Sequence, residues 1–126
     1  MPKTVFVAHP ISGDIKGNVK EVLEICRKIH TEHIIPLAPY LVSLQYLNDE
    51  VHEERRLGIE ANLECFRRKM IDELWLFGDF ISPGMLEEIK IARSISYRIP
   101  VIAKTHGTKI DFKKFCEKNP LKLPTC

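Results

Sequence analysis

The chain lacks the short signatures that most directly announce a chemistry. There is no Cys-x-x-Cys pair and no His-Glu-x-x-His, and the five histidines are scattered, so the spacing predicts no metal site. Neither Gly-x-Gly-x-x-Gly nor Gly-x-x-x-x-Gly-Lys-[Ser/Thr] occurs, which excludes the dinucleotide fingerprint and the P-loop. Gly-x-Ser-x-Gly is missing too, and with it the nucleophile elbow of serine hydrolases. No apolar run approaches the roughly 18 residues that span a bilayer. Met1-Pro-Lys-Thr4 passes directly into a strand-like run, so neither a transmembrane helix nor a leader peptide is expected. A net charge of +2 is too small to point to nucleic acid or a membrane surface. Cys26, Cys65, Cys116 and Cys126 read as free thiols in a reducing cytoplasm.

What is present is an ordinary soluble composition. With 44% hydrophobic and 29% charged residues in a chain of 126, a single globular domain over 1–126 is expected, with an irregular tail from about residue 118. Thr4 to Ala8 is short, β-branched and apolar, as a strand buried on both faces would be. His9 to Asp14 is a loop, and Asn18 is a plausible cap for the helix after it, whose stripe is Val19, Val22, Leu23, Cys26 and Ile29. Ile34 to Ala38 reads as a second strand, at an edge because of Pro36. Pro39 to Asp49 reads as a long loop, and Glu50 to Met70 as a helix with Leu57, Ala61, Glu64, Cys65 and Arg68 on one face. Glu73 to Phe77, Met85 to Tyr97, Pro100 to Ala103 and Ile110 to Glu117 read as strand, helix, strand and short helix. Strands alternating with helices predict an α/β three-layer sandwich, flavodoxin- or Rossmann-like, with a parallel sheet and the first strand central. Ligands then bind above the carboxyl ends of the strands, near Ala8, Ala38 and Phe77.

Glu88 is the residue most in need of explanation. In a helix starting after Gly84, positions 85, 88, 92 and 95 share a face, and Glu88 stands there among Met85, Ala92 and Ile95. An acid in an apolar stripe is desolvated unless paired, whereas Glu87, about 100° round the helix, reads as solvent-facing. A functional carboxylate is one reading of Glu88; a simple match to the helix macrodipole is the other. Ser82 and Gly84 precede the same helix and fit a phosphate site at its N-terminus, or Ser82 as cap with Pro83 first in the helix. The loop of His9, Pro10, Ile11, Ser12 and Gly13 fits close approach to a sugar or phosphate, with His9 either a polar contact or structural. Tyr40, Gly78 and Met85 fall in the connections that converge on the same crevice. Asp72, at the opposite sheet end, reads as a cap or ion-pair partner, and Arg55 and Arg56 as a solvated helix face from which one could reach an anion.

Three segments together resemble the nucleoside 2-deoxyribosyltransferase superfamily, which includes the deoxynucleoside 5′-monophosphate N-glycosidases. They are Val5-Phe-Val-Ala-His-Pro-Ile-Ser-Gly13, Asp72-Glu-Leu-Trp-Leu-Phe77 and Ser82-Pro-Gly-Met-Leu-Glu-Glu-Ile-Lys-Ile-Ala92. The resemblance runs from about Val5 to Ile102. It implies that Glu88 is the catalytic glutamate at C1′ of the sugar and that Ser82 contacts a 5′-phosphate. It further implies that Glu64, at a position usually aspartate, helps protonate or orient the base. The substrate-binding set would be Ala8, His9, Pro10, Ile11, Ser12, Gly13, Tyr40, Gly78, Ser82, Gly84 and Met85. The expected activity is cleavage of an N-glycosidic bond of a nucleotide or nucleoside, by hydrolysis or transfer. No cofactor is expected, and a homodimer or larger homo-oligomer is implied. The alternative is a non-catalytic protein that binds or sequesters a nucleotide or an ADP-ribose-type ligand. A response-regulator-like module fits poorly, because it needs acids where Ala8-His9-Pro10 stands.

Overall fold

The computed structural model describes residues 1–120. Its first strand, β1 (Lys3–Ala8), is buried on both faces: Val5, Phe6 and Val7 are 0% exposed and Ala8 1%. Such a strand needs a neighbour on each edge, and β1 pairs in parallel with β2 (Ile34–Leu37) on one side and β3 (Glu73–Leu76) on the other. β4 (Val101–Ala103) pairs with β3, so the sheet order is β2-β1-β3-β4, all parallel. The α/β architecture with a central first strand is as the alternation predicts, and Pro36 lies in an edge strand. Register sets Phe6 beside Leu37 and Leu74.

Five helices cover the sheet: α1 (Ile15–Ile29), α2 (Tyr40–Ser43), α3 (His52–Arg67), α4 (Pro83–Ala92) and α5 (His106–Lys118). α3 and α4 lie side by side, and Phe66 of α3 meets Phe6 at 5.0 Å between ring centroids. Right-handed crossovers put α1 on the opposite face, which makes three layers. At the far end of the sheet, Asp72 accepts the Thr4 amide proton at 2.7 Å, the capping role expected of it. Buried Arg93, at the end of α4, lies 5.1 Å from the Phe115 ring centroid and donates to the Asn119 carbonyl, tying α4 to α5.

Several boundaries differ from expectation, each for a local reason. The cap of α1 is Asp14, four residues before the expected Asn18, because Asp14 accepts from the Gly17 amide. Asn18 instead donates to the Ile11 carbonyl at 2.9 Å and holds the loop after β1. Val22 is the fully buried residue of the α1 stripe, whereas Leu23 is half exposed and Ile25 packs on the core in its place. The stretch read as a loop after Pro39 contains the single turn α2. α4 ends at Ala92 rather than Tyr97: Arg98 takes φ +50° and the Ile99 amide donates to the Ala92 carbonyl, reversing the chain into β4. α5 starts at His106 and not Ile110, capped by Thr105, and runs through Lys118 into the expected tail; 121–126 lie outside the described residues. Cys26 and Cys65 are free thiols, but Cys116 is disulfide-bonded, against the expectation for it.

The largest correction concerns α3. Its inward residues are Asn62 and Phe66, while Leu57 is 51% exposed and Ala61 faces solvent. The expected Leu57–Ala61–Glu64–Cys65–Arg68 face therefore lies about a third of a turn from the real one, with Cys65, partly buried against the core, at the border between them. Replacing Phe66 by Ala is expected to lower unfolding stability by about 3–5 kcal/mol, and Leu57→Ala by less than about 0.5 kcal/mol. Urea midpoints of the two variants check this phase directly; equal losses would contradict it.

Candidate functional site

Above the carboxyl ends of β1, β2 and β3 the connections enclose an open cavity of about 180 Å³. His9, Pro10, Ile11 and Ser12 line it from the loop after β1, and Tyr40, Ser43 and Leu44 from α2 and its end. Arg55, Gly58, Ile59 and Asn62 line it from α3; Phe80, Ser82, Gly84, Met85 and Glu88 come from the β3–α4 loop and α4. A crevice at strand carboxyl ends is where open α/β sheets bind ligands.

Glu88 stands at the inner wall. It is 7% exposed between Met85, Ile89 and Ala92, all at 2% or less. Among the described residues no hydrogen bond or ion pair holds its carboxyl group, and burial pushes its pKa up to about 8. Glu87 faces solvent and pairs with Lys90 at 3.7 Å, as its helical phase predicts. The macrodipole alone does not account for an acid that faces inward and is predominantly protonated at neutral pH.

Asn62, which the sequence reading passed over, faces the same cavity from α3. It is 8% exposed, and its side-chain oxygen is shut off from solvent without a hydrogen-bond partner. An unpaired buried amide of this kind costs about 1–3 kcal/mol. Its signal in the sequence was available: Asn62 is four residues before Phe66, on the apolar side of a helix that is otherwise charged.

The loops that shape the cavity are braced from behind. His9 is 6% exposed, with Nδ1 2.6 Å from the Pro10 carbonyl and Nε2 2.8 Å from the Glu21 carboxylate. Both ring nitrogens are thus engaged inside the fold, and the structural reading of His9 prevails over that of a free polar contact. Tyr40 donates its hydroxyl to the Val7 carbonyl; burial, then Glu88 and Cys26, raise its pKa well above the usual phenol value. Gly78 has φ +93°, and a Cβ there would meet Pro10 Cδ at 2.5 Å, so it permits close approach of two loops instead of lining the cavity. Thr105 donates to the Gly78 carbonyl and Asp111 accepts from the Ile81 amide, so α5 fixes the approach to Ser82.

Ser82 is the N-cap of α4, its hydroxyl oxygen accepting from the Met85 amide at 3.3 Å, with Pro83 first in the helix. Pro83 has no N–H, and the Leu86 amide donates to the Ser82 carbonyl, which leaves the Gly84 amide of this helix start without an acceptor among the described residues. Arg55 adds a cation at the cavity mouth that forms no ion pair among the described residues. It also borders a polar depression reached through Ser12 and Asp49 and lined by Gly13, Lys16 and His52.

Of the residues selected from the sequence, His9, Pro10, Ile11, Ser12, Tyr40, Ser82, Gly84, Met85 and Glu88 line one cavity. Ala8 is buried within β1, Gly78 packs behind the wall, and Gly13 lies in the adjoining depression. Glu64 is not brought to the site. Its side chain is 46% exposed, and Arg68, then Arg67, hold its carboxyl below the ordinary pKa. The shift in α3 phase places Asn62 inward and turns Glu64 to solvent.

A family model matches residues 3–102 and describes a domain of unknown function, DUF7768. The chain belongs to this family. The DUF7768 span runs from the start of β1 into β4, contains every residue lining the cavity, and stops before α5. Searches of curated proteins and of solved structures return no match. Among the described residues no helix is long and apolar enough to cross a membrane, and no three His, Cys, Asp or Glu side chains gather to hold a metal ion.

The Glu88 shift fixes a pH dependence. A folded-state pKa of about 8 against an ordinary 4.5 means that the folded protein holds this proton more tightly, so stability falls as pH rises through that window and levels off above it. Glu88→Gln removes the effect. The variant is expected to match wild type near pH 4.5 and to exceed it by on the order of 5 kcal/mol above pH 8. Denaturant titrations across this range test it, and a pH-independent difference would show that Glu88 is solvated.

Proposed function

We propose that this DUF7768 protein cleaves the N-glycosidic bond of a nucleotide or nucleoside, with Glu88 acting at C1′ of the sugar. The observation that carries the proposal is the buried, unpaired carboxyl group of Glu88 on the wall of a cavity at the carboxyl edge of the sheet. The resemblance of the three sequence segments to nucleoside 2-deoxyribosyltransferases and monophosphate N-glycosidases supplies the reaction class. Ionised Glu88 attacks C1′ to form a glycosyl-enzyme ester while the base leaves with the bonding electrons and a proton from solvent; water, or a second base, then displaces the carboxylate. An oxocarbenium-like transition state carries positive charge beside the carboxylate, and a low-dielectric wall strengthens that attraction. Glu64 has no part in this scheme, since its carboxylate faces Arg67 and Arg68.

The anionic end of a nucleotide is best served by Arg55 with the Gly84 amide and the Ser82 hydroxyl, which can still donate while it caps α4. Exposed Val42, Tyr46 and Leu57, on and near α2 and α3, would suit packing of a second subunit beside the cavity, in keeping with a homo-oligomer in the cytoplasm.

A second reading rests on the protonation of Glu88. A carboxyl group with pKa about 8 is chiefly a neutral hydrogen-bond donor at pH 7, which suits binding without turnover. The two are separated by incubating the protein with nucleosides and nucleoside 5′-monophosphates and following released base by chromatography. Hydrolysis or transfer is expected to fall at least about 100-fold in Glu88→Gln, with kcat/KM rising with pH to a plateau above about 8. Ligand-induced thermal stabilisation without base release would replace the enzymatic reading with the binding one.

A further inference from the structure

We propose that Asn62 selects the ligand, accepting only a group that presents a hydrogen-bond donor beside an acceptor, as the amide or amidine edge of a nucleobase does. This rests on the nucleotide reading of the cavity and assigns the part of the ligand that enters its inner end.

Asn62 is more than nine-tenths buried on a core-facing turn of α3, one turn before Phe66, yet its amide enters no hydrogen bond within the described residues. The oxygen is fully shielded and unpaired; the nitrogen, also without a partner, is not shielded in this way. Packing alone favours an apolar side chain here, because buried amides persist where something satisfies them. No described residue provides such a partner, and the amide lines the cavity that also receives Glu88.

An asparagine amide has one acceptor and two donors; a partial turn about its last side-chain bond on binding brings the oxygen, shielded without ligand, to the cavity beside the nitrogen, so its best partner offers a donor and an acceptor side by side. This is the pairing by which asparagine reads a purine edge in nucleic-acid recognition. Leu44, Leu47 and Ile59 supply apolar lining for the flat faces of such a ring. The single cation of α3 in the cavity wall, Arg55, lies seven residues before Asn62 on the same helix, about two turns away. A nucleotide can therefore place its anionic group near the mouth and its neutral base within.

The test compares wild type with Asn62→Leu and Asn62→Ala by thermal melting, alone and with a panel of nucleosides, nucleoside 5′-monophosphates and unsubstituted purine riboside. Asn62→Leu without ligand is expected to melt at or above wild type, since an unpaired amide is removed. Asn62→Ala, which adds no bulk, covers the case in which leucine is too large. Both variants should bind the preferred ligand at least about tenfold more weakly, and the preference of wild type for a substituted base over purine riboside should fall to about one. Wild-type affinity and preference in Asn62→Ala would overturn the role of Asn62 alone. A lowered melting point in both ligand-free variants with preference intact would make Asn62 a structural residue and overturn the proposal. No shift of wild type with any member of the panel would overturn the nucleotide reading of the cavity, and the proposal with it.

Discussion

Burial of β1 on both faces constrains the rest of this molecule. Val5 to Ala8 have no exposed edge or face, so β1 must be flanked by β2 and β3 and covered by helices above and below. Its chain can leave only at the carboxyl end of the sheet, where the loops after β1 and β3 meet at Pro10 and Gly78. Parallel pairing sends the chain after β2 to that same end. The crevice is thus a consequence of strand order, and the loop residues give it shape and polarity.

Within that crevice two polar groups oppose the stability of the fold. Glu88 sits unpaired in an apolar setting that raises its pKa, and the oxygen of Asn62 is sealed from water without a partner. Most other buried polar groups are satisfied: His9 has Pro10 and Glu21, Tyr40 has Val7, and Thr108 has Leu76 and Thr105. The exception is Arg93, which does not line the cavity: its Nε and one terminal nitrogen lack a hydrogen-bond partner among the described residues, and its guanidinium lies against the Phe115 ring. Groups left unpaired in otherwise well-satisfied surroundings commonly mark places where a ligand completes the structure. That both lie on one cavity, from helices that are side by side, ties the two together.

The wall facing these groups depends on contacts distant in sequence. Thr105 and Asp111 reach back to Gly78 and Ile81, and Asn18 reaches back to Ile11. α5 lies beyond the DUF7768 span yet holds the loop before Ser82, so the matched region and the structural support of the site are not coextensive.

The sequence by itself determined the alternation of strands and helices, the central place of β1 and the inward placing of Met85, Glu88 and Ala92 on α4, though not of Ile95, which lies beyond the end of the helix and is exposed. Each rests on strong local contrast: an unbroken apolar run for β1, and one acid among apolar neighbours for Glu88. α3 offered no such contrast. Its charges run almost all round, so one exposed leucine, Leu57, sufficed to set the wrong phase, drawing Glu64 inward and hiding Asn62. Only the tertiary structure decided that phase, because it is set by the meeting of Phe66 with Phe6, a contact across 60 residues that no helical period records. The same holds for His9 and Gly78, whose roles come from partners on other elements: their residue types permit several functions, and packing selects one.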